Sequence, residues 1–283
     1  MTPEETKRKI WPVMKNVYRS VMDDGVIDLA AALAYYFLLS IFPLLIFIVS
    51  LLPYFSIDPD EAIRFVKEMV PRTAAESIDE PIREILSQRK GGLLSFSLLA
   101  TLWIASNGVS AMIRMLNIAY QVEESRNIIR ARLLSLALTV GIVLVFAVML
   151  TLQVFGKLLF GYLDSALPLS VGTELLFGPL RWAAAVVVTV LVLIAIYQIA
   201  PNMRLPLREV VGGAIAATLG WHLISLGFSY YVNHFNNYSG TYGSLGGIIV
   251  LMVWFYLTAL ILIMGGVINA AVHQHRKERN GTH

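Results

Sequence analysis

Six stretches of this chain run for 20 or more residues with almost no charged side chain, and that pattern decides the fold class. A bilayer core roughly 30 Å thick takes about 20 residues of α-helix to cross. A soluble chain of 283 residues would show amphipathic stripes instead of repeated all-round apolar runs. Only 14% of the residues are charged, against about a quarter in soluble domains. The expected fold is therefore all-α, a polytopic integral membrane protein with about six transmembrane helices. The spans are placed, to within a few residues, at Ala30–Tyr54, Gly92–Tyr120, Leu133–Leu163, Leu180–Ala200, Val210–Val232 and Ser244–His273. The third is long enough to tilt, to break near Gly156 or to end in an interfacial turn.

The polar segments complete the layout. Residues 1–24 form a cytoplasmic amphipathic segment in which Ile10, Val13, Met14, Val17 and Val21 recur at helical spacing among Lys7, Arg8, Lys9, Lys15 and Arg19. Two readings stand for it: a helix lying on the membrane surface, or a helix packed on the loops. Residues 25–273 are the six-helix domain. Within it, 56–91 reads as two short amphipathic helices capping the extracytoplasmic face, and 274–283 is a basic cytoplasmic tail. The N-terminus is polar up to a first run long enough to span, so no cleavable signal peptide is expected.

Loop charge sets the orientation. With six spans, Arg126, Arg130 and Arg132, then Arg204 and Arg208, then Arg276, Lys277 and Arg279 fall on the same side as the basic N-terminus. The loops after spans three and five carry almost no basic residues. Both termini are expected in the cytoplasm, in a bacterial cytoplasmic (inner) membrane. The 56–91 segment, with six Lys/Arg and eight Asp/Glu, is the exception to the pattern.

Polar residues inside spans are costly and face other helices or a wet cavity. In the second span Trp103, Asn107, Ser110, Arg114 and Asn117 are spaced 4, 3, 4 and 3, which keeps them on one stripe. Arg114 either contacts an anion or lipid headgroup in a cavity, or snorkels to the interface. The fifth span carries Thr218, His222, Ser225, Ser229, Asn233 and Asn236 on one face. His222 could relay protons or simply bond between helices. Asn269 of the sixth span joins the candidate substrate or lipid path. Ser40 and Pro43 mark a bend or hinge in the first span. Gly243, Gly246 and Gly247, with Gly265 and Gly266 lower down, read as close packing or as a mobile helix start.

No catalytic set emerges. The chain lacks cysteine, so thiolate metal sites and cysteine nucleophiles are excluded. His273 and His275 are two apart and do not share a helix face. No His-x-x-x-His, Gly-x-Ser-x-Gly or phosphate loop occurs. Spans contain essentially no Asp or Glu beyond Asp28. No enzyme activity, no metal and no cofactor is expected.

The chain also resembles the YihY/BrkB family of bacterial inner-membrane proteins, once labelled ribonuclease BN. The likeness rests on Ala30-Ala31-Ala32-Leu33-Ala34-Tyr35-Tyr36 leading to Ser40 and Pro43, and on Trp103, Ala105-Ser106, Gly108, Leu116-Asn117 and Tyr120. Pro201-Asn202 and Gly212-Gly213 to Trp221 fit. So do Tyr238 and Tyr242-Gly243-Ser244-Leu245-Gly246, then Trp254, Tyr256-Leu257, Gly265 and Asn269-Ala270. It spans about residues 20–272. It implies six helices and a role in transport, including export of lipid or envelope precursors; the ribonuclease label looks like a misassignment. Family members often carry Glu where this chain has Val267 and His222, which puts cation coupling in doubt here. The functional expectation is a transporter or flippase for an amphipathic or anionic, lipid- or envelope-related substrate. A structural scaffold is the alternative, and a membrane-associated tRNA-processing ribonuclease a third reading. Expected partners are membrane lipids and an anionic or lipid-like substrate, with no nucleic acid; homo-oligomerisation is left open.

Overall fold

The computed structural model describes residues 3–54, 91–166, 173–234, 244–279 and 281. Every regular element among them is helical: α1 (Pro3–Asp23), α2 (Val26–Leu51) with a 3-10 turn at Leu52–Tyr54, α3 (Gly91–Ala119), α4 (Ile128–Ala166), α5 (Thr173–Ile199), α6 (Leu207–His234) and α7 (Ser244–Arg279). Six of these, α2 to α7, are long and apolar enough to cross a membrane. This is a multi-pass helical membrane protein, as the apolar runs require. The capping helices expected over 56–91 lie, apart from Gly91, outside the described residues.

The helix ends follow local chemistry. Gly25, at φ 74°, takes the left-handed conformation between α1 and α2 that a side chain would resist. Asp28 in the first turn of α2 meets the positive end of the helix dipole. Asn127 caps α4, its Oδ1 accepting from the Ile129 amide at 3.1 Å. After α3 the Gln121 amide donates to Ile118 O and the Val122 amide to Asn117 O, each at 2.9 Å. That is a Schellman ending, but its left-handed position, φ 55°, is held by Gln121 instead of glycine.

Of the readings left open for the third span, the break near Gly156 does not occur, and the fifth span starts within a few residues of its expected place. Helix α4 runs unbroken through Gly156, for 39 residues; one glycine weakens a helix but does not stop it where the backbone has no water to turn to. Helix α6 starts at Leu207, not Val210, because Pro206 precedes it and its carbonyl accepts from the Glu209 amide at 2.9 Å. This places Glu209, an acid the apolar runs leave outside, in the first turn of a span. Helix α2 also continues through Pro43, and Ser40 Oγ donates to Phe37 O at 2.8 Å one turn before it.

The chain divides into two compact units. The first comprises 1–27, 112–222 and 261–283 and holds α1, α4, α5 and the polar-loop ends of α3, α6 and α7. In it α6 and α7 approach closely. A Cβ at Gly213 would collide with Gly265 O and lie 2.5 Å from Asn269 Oδ1; one at Gly265 would lie 2.7 Å from Gly213 O and from Ala217 Cβ. Small residues on both helices thus bring the backbones together, which matters where burial from water cannot drive helices together. Tyr197 of α5 joins them, its hydroxyl donating to Leu262 O at 2.6 Å. The second unit, 28–111 and 223–260, packs α2 against α3. There a Cβ at Gly108 would sit 2.8 Å from Leu33, and Phe37 meets Phe255 edge to face with centroids 5.8 Å apart.

Candidate functional site

The polar end of the first unit gathers residues from α3, α6 and α7 and from the α3–α4 and α5–α6 loops. Asn117, the last polar residue on the α3 stripe, is buried. Its Nδ2 donates to Glu124 Oε2 at 2.9 Å, and its Oδ1 accepts from the Asn202 amide at 2.8 Å. The Asn202 side chain returns to the other loop, donating to Glu123 O at 2.7 Å and Ser125 Oγ at 2.8 Å. Arg126 forks onto the C-terminal end of α5, reaching Ala200 O at 3.1 Å and Pro201 O at 2.6 Å. A cation there meets the negative end of the helix and satisfies carbonyls at its C-terminal end that have no intrahelical donor. These bonds lock the α3–α4 and α5–α6 loops together.

Beside this knot lies a titratable cluster. Glu209 side-chain exposure is 11%, and its Oε2 is 2.6 Å from His273 Nδ1 while its Oε1 is 3.6 Å from Arg276. Tyr120 stacks edge-on to His273, with centroids 5.9 Å apart. Only 5% of Tyr120 is exposed, and its hydroxyl finds no hydrogen-bond partner among the described residues. Burial, and then the Glu209 charge, push the Tyr120 hydroxyl pKa well above its ordinary value. Gln274 completes the wall, donating to Ala119 O at 2.8 Å. Asn269, 1% exposed, accepts from the Gly213 amide at 2.6 Å and donates to Val210 O at 3.0 Å.

The α3 stripe splits. Trp103 and Arg114 are exposed, and Asn107 and Ser110 are half-buried. Asn117, next in register, turns into the knot. Ser110 Oγ is satisfied within its own helix, on Ser106 O at 2.9 Å. The division between units falls after Ala111, so Arg114 belongs with the polar end and the other three do not.

On α6, His222 stands against Trp182 and Trp221, with centroids at 5.5 and 5.1 Å. His222 Nε2 and Ser225 Oγ are buried without a hydrogen-bond partner among the described residues, whereas Ser229 is exposed. Gly246 is buried and Gly247 exposed with open space at its Cβ position; Gly243 lies outside the described residues. Among the described residues no three His, Asp or Glu side chains converge as metal ligands would.

Residues 17–283 match the protein family described as Virulence factor BrkB. The chain belongs to the BrkB family. It is 46% identical over 252 residues to a Bacillus subtilis protein with a ribonuclease-like name, YfkH, covering 88% of this chain and 90% of that one. It is 29% identical over 271 residues to a UPF0761 membrane protein of Tolumonas auensis, covering 93% and 85%. The corresponding figures for a UPF0761 membrane protein of Aliivibrio salmonicida are 26% over 267 residues, covering 93% and 83%. No solved structure matches.

Several residues that carry the BrkB resemblance build this polar end: Asn117, Tyr120, Pro201-Asn202, Gly213, Gly265 and Asn269. Glu209, His273, Gln274, Glu124 and Arg126 were not singled out from the sequence as members of a site. Glu209 had one available signal, an acid three residues after a proline at the mouth of an apolar run. The others are legible only once distant loops are brought together.

Proposed function

We propose that this membrane protein moves an amphipathic, anionic molecule of lipid or envelope-related type, as a transporter or flippase. The supporting observation is the outward placement of Arg114 on the stripe begun by Trp103, Asn107 and Ser110. An arginine at the centre of a span costs about 2.5–3.5 kcal/mol on insertion scales. Arg114 sits five residues before the end of α3, about 8 Å from it at 1.5 Å per residue. Its guanidinium therefore reaches headgroup depth while its stem stays in the apolar layer. A permanent cation there forks onto phosphate or carboxylate, and the half-buried amide and hydroxyl extend a polar track along the same helix. Proteoliposomes carrying a fluorescent anionic lipid test this. Arg114→Ala should abolish lipid movement while the protein still elutes and melts like wild type, and Arg114→Lys should restore part of it. Unchanged movement in Arg114→Ala would sink the assignment.

The proposed setting is a bacterial inner membrane with both termini in the cytoplasm. Supporting it, Arg126 and Arg276 both act at the polar end, where α1 and the end of α7 also meet. A fluorescent-protein fusion to the C-terminus should therefore glow, and an alkaline phosphatase fusion there should be inactive. Two observations favour a scaffold as the second reading: Asn117 and Asn269 spend all their described hydrogen bonds on holding the fold. That reading predicts co-purifying proteins and no lipid movement. The ribonuclease-like name of the Bacillus relative would apply here if stringently purified protein cleaved precursor tRNA.

A further inference from the structure

We propose that the cavity between α1 and the C-terminal end of α7 binds the headgroup of a phospholipid that carries a primary amine beside its phosphate. The cavity measures about 360 Å³ and is lined by Arg19 and Lys277, Asp24 and Glu278, and the amides of Gln121 and Gln274. Its volume is within the range of small-ligand sites. Two cations and two carboxylates line it, one of each sign from the α1 side and one of each from α7, so the wall is neutral in sum but offers both signs of charge. A simple anion would meet repulsion from Asp24 and Glu278, and a simple cation from Arg19 and Lys277. A phosphate with an ammonium a few bonds away can find a cation for the one and a carboxylate for the other, and the amides can donate to phosphate oxygens or accept from the amine. Gln121 stands here in its left-handed conformation, which fixes the direction in which its side chain leaves the α3 end.

The depth of the cavity argues for a lipid source. Helix α1 ends at Asp23 and the first span begins at Val26, so the last turns of α1, which line the cavity, stay next to the bilayer. Val17 and Val21 are half-buried, while Trp11, Met14, Tyr18 and Met22 are all more than half exposed. Their spacing of 3, 4 and 4 puts those four on one face of the helix. Aromatic and thioether side chains on one face, with Lys15 and Arg19 exposed beside them, are the composition of a helix lying in the bilayer interface. The cavity flanking α1 is thereby held at headgroup level. This goes beyond the transport reading, since the bound lipid can be cargo or a resident of the fold.

The test is native mass spectrometry of the full-length protein in detergent, with phosphatidylethanolamine, phosphatidylglycerol and phosphatidylcholine of identical acyl chains added in turn. The wild type should retain phosphatidylethanolamine about fivefold or more above either competitor. Arg19→Ala with Lys277→Ala, and separately Asp24→Asn with Glu278→Gln, should each remove that preference. Equal retention of all three lipids by the wild type would overturn the proposal without any substitution being made. So would loss of preference in the basic pair alone, which would mean that Asp24 and Glu278 do not receive the amine. Glycerophosphoethanolamine binding as tightly as the diacyl lipid would overturn the lipid source and point to a soluble ligand.

Discussion

Adjacent glycines on α6 provide the sharpest test of the helix packing. Gly212 is exposed and a Cβ there meets nothing within 4 Å; Gly213 is buried, and its Cβ would collide with Gly265 O. Alanine is favoured over glycine in a helix by about 0.8–1.0 kcal/mol, so Gly212→Ala should be neutral or stabilising by up to that amount. At Gly213 the same gain is opposed by overpacking, which costs about 1–3 kcal/mol and more when the obstacle cannot rotate away. Here the obstacle is backbone, so α6 and α7 must separate, stretching both Asn269 hydrogen bonds. Interhelical hydrogen bonds in membranes average about 0.6 kcal/mol each. Together these terms give a net loss of about 1–3 kcal/mol for Gly213→Ala, or roughly 2–12 °C in melting temperature at 2–4 °C per kcal/mol. The assay is thermal unfolding of detergent-purified protein followed by tryptophan fluorescence. Adding Asn269→Ala removes the contacts at 2.5 and 2.6 Å but leaves Gly265 O in place, so rescue of Gly213→Ala should be partial at most. Equal melting temperatures for the two glycine variants, or full rescue by Asn269→Ala, would refute the backbone contact.

Two further outcomes follow from the polar end. Because the folded state holds the Tyr120 hydroxyl protonated beyond its usual range, the unfolded chain should lose that proton first as pH rises through about 10. Stability should then fall with pH. Tyr120→Phe should melt at or above the wild-type temperature at pH 8, since the buried hydroxyl has no partner among the described residues to lose, and its advantage should widen between pH 9 and 11; parallel curves would contradict this. Gln121→Gly should raise stability by about 1 kcal/mol by relieving the left-handed side-chain strain, read as a higher melting temperature; a lower one would show that the Gln121 side chain contributes more than its backbone costs.

The number, order and approximate limits of the spanning helices were legible in the sequence for a physical reason. In hydrocarbon each segment must satisfy its own backbone hydrogen bonds, so a run of apolar residues dictates a helix wherever it occurs. The limits moved by several residues at most helix ends, as at Pro206, which drew Glu209 into α6. The family resemblance was legible too, because Asn117, Asn202, Gly213 and Asn269 stand in recognisable local contexts. What periodicity could not supply was the neighbour of each face. A spacing of 4, 3, 4 and 3 sets five residues on one stripe of α3, yet Arg114 ends exposed and Asn117 buried, because Asn202, 85 residues away, receives one and not the other. His273, at the end of the sixth span, had no partner legible in the sequence until Glu209, 64 residues distant, met it. Local sequence determined the helices because their stability is local; tertiary structure alone decided which polar groups are spent on the fold and which remain to bind, because a polar group's partner is a matter of distance in space, not of order along the chain.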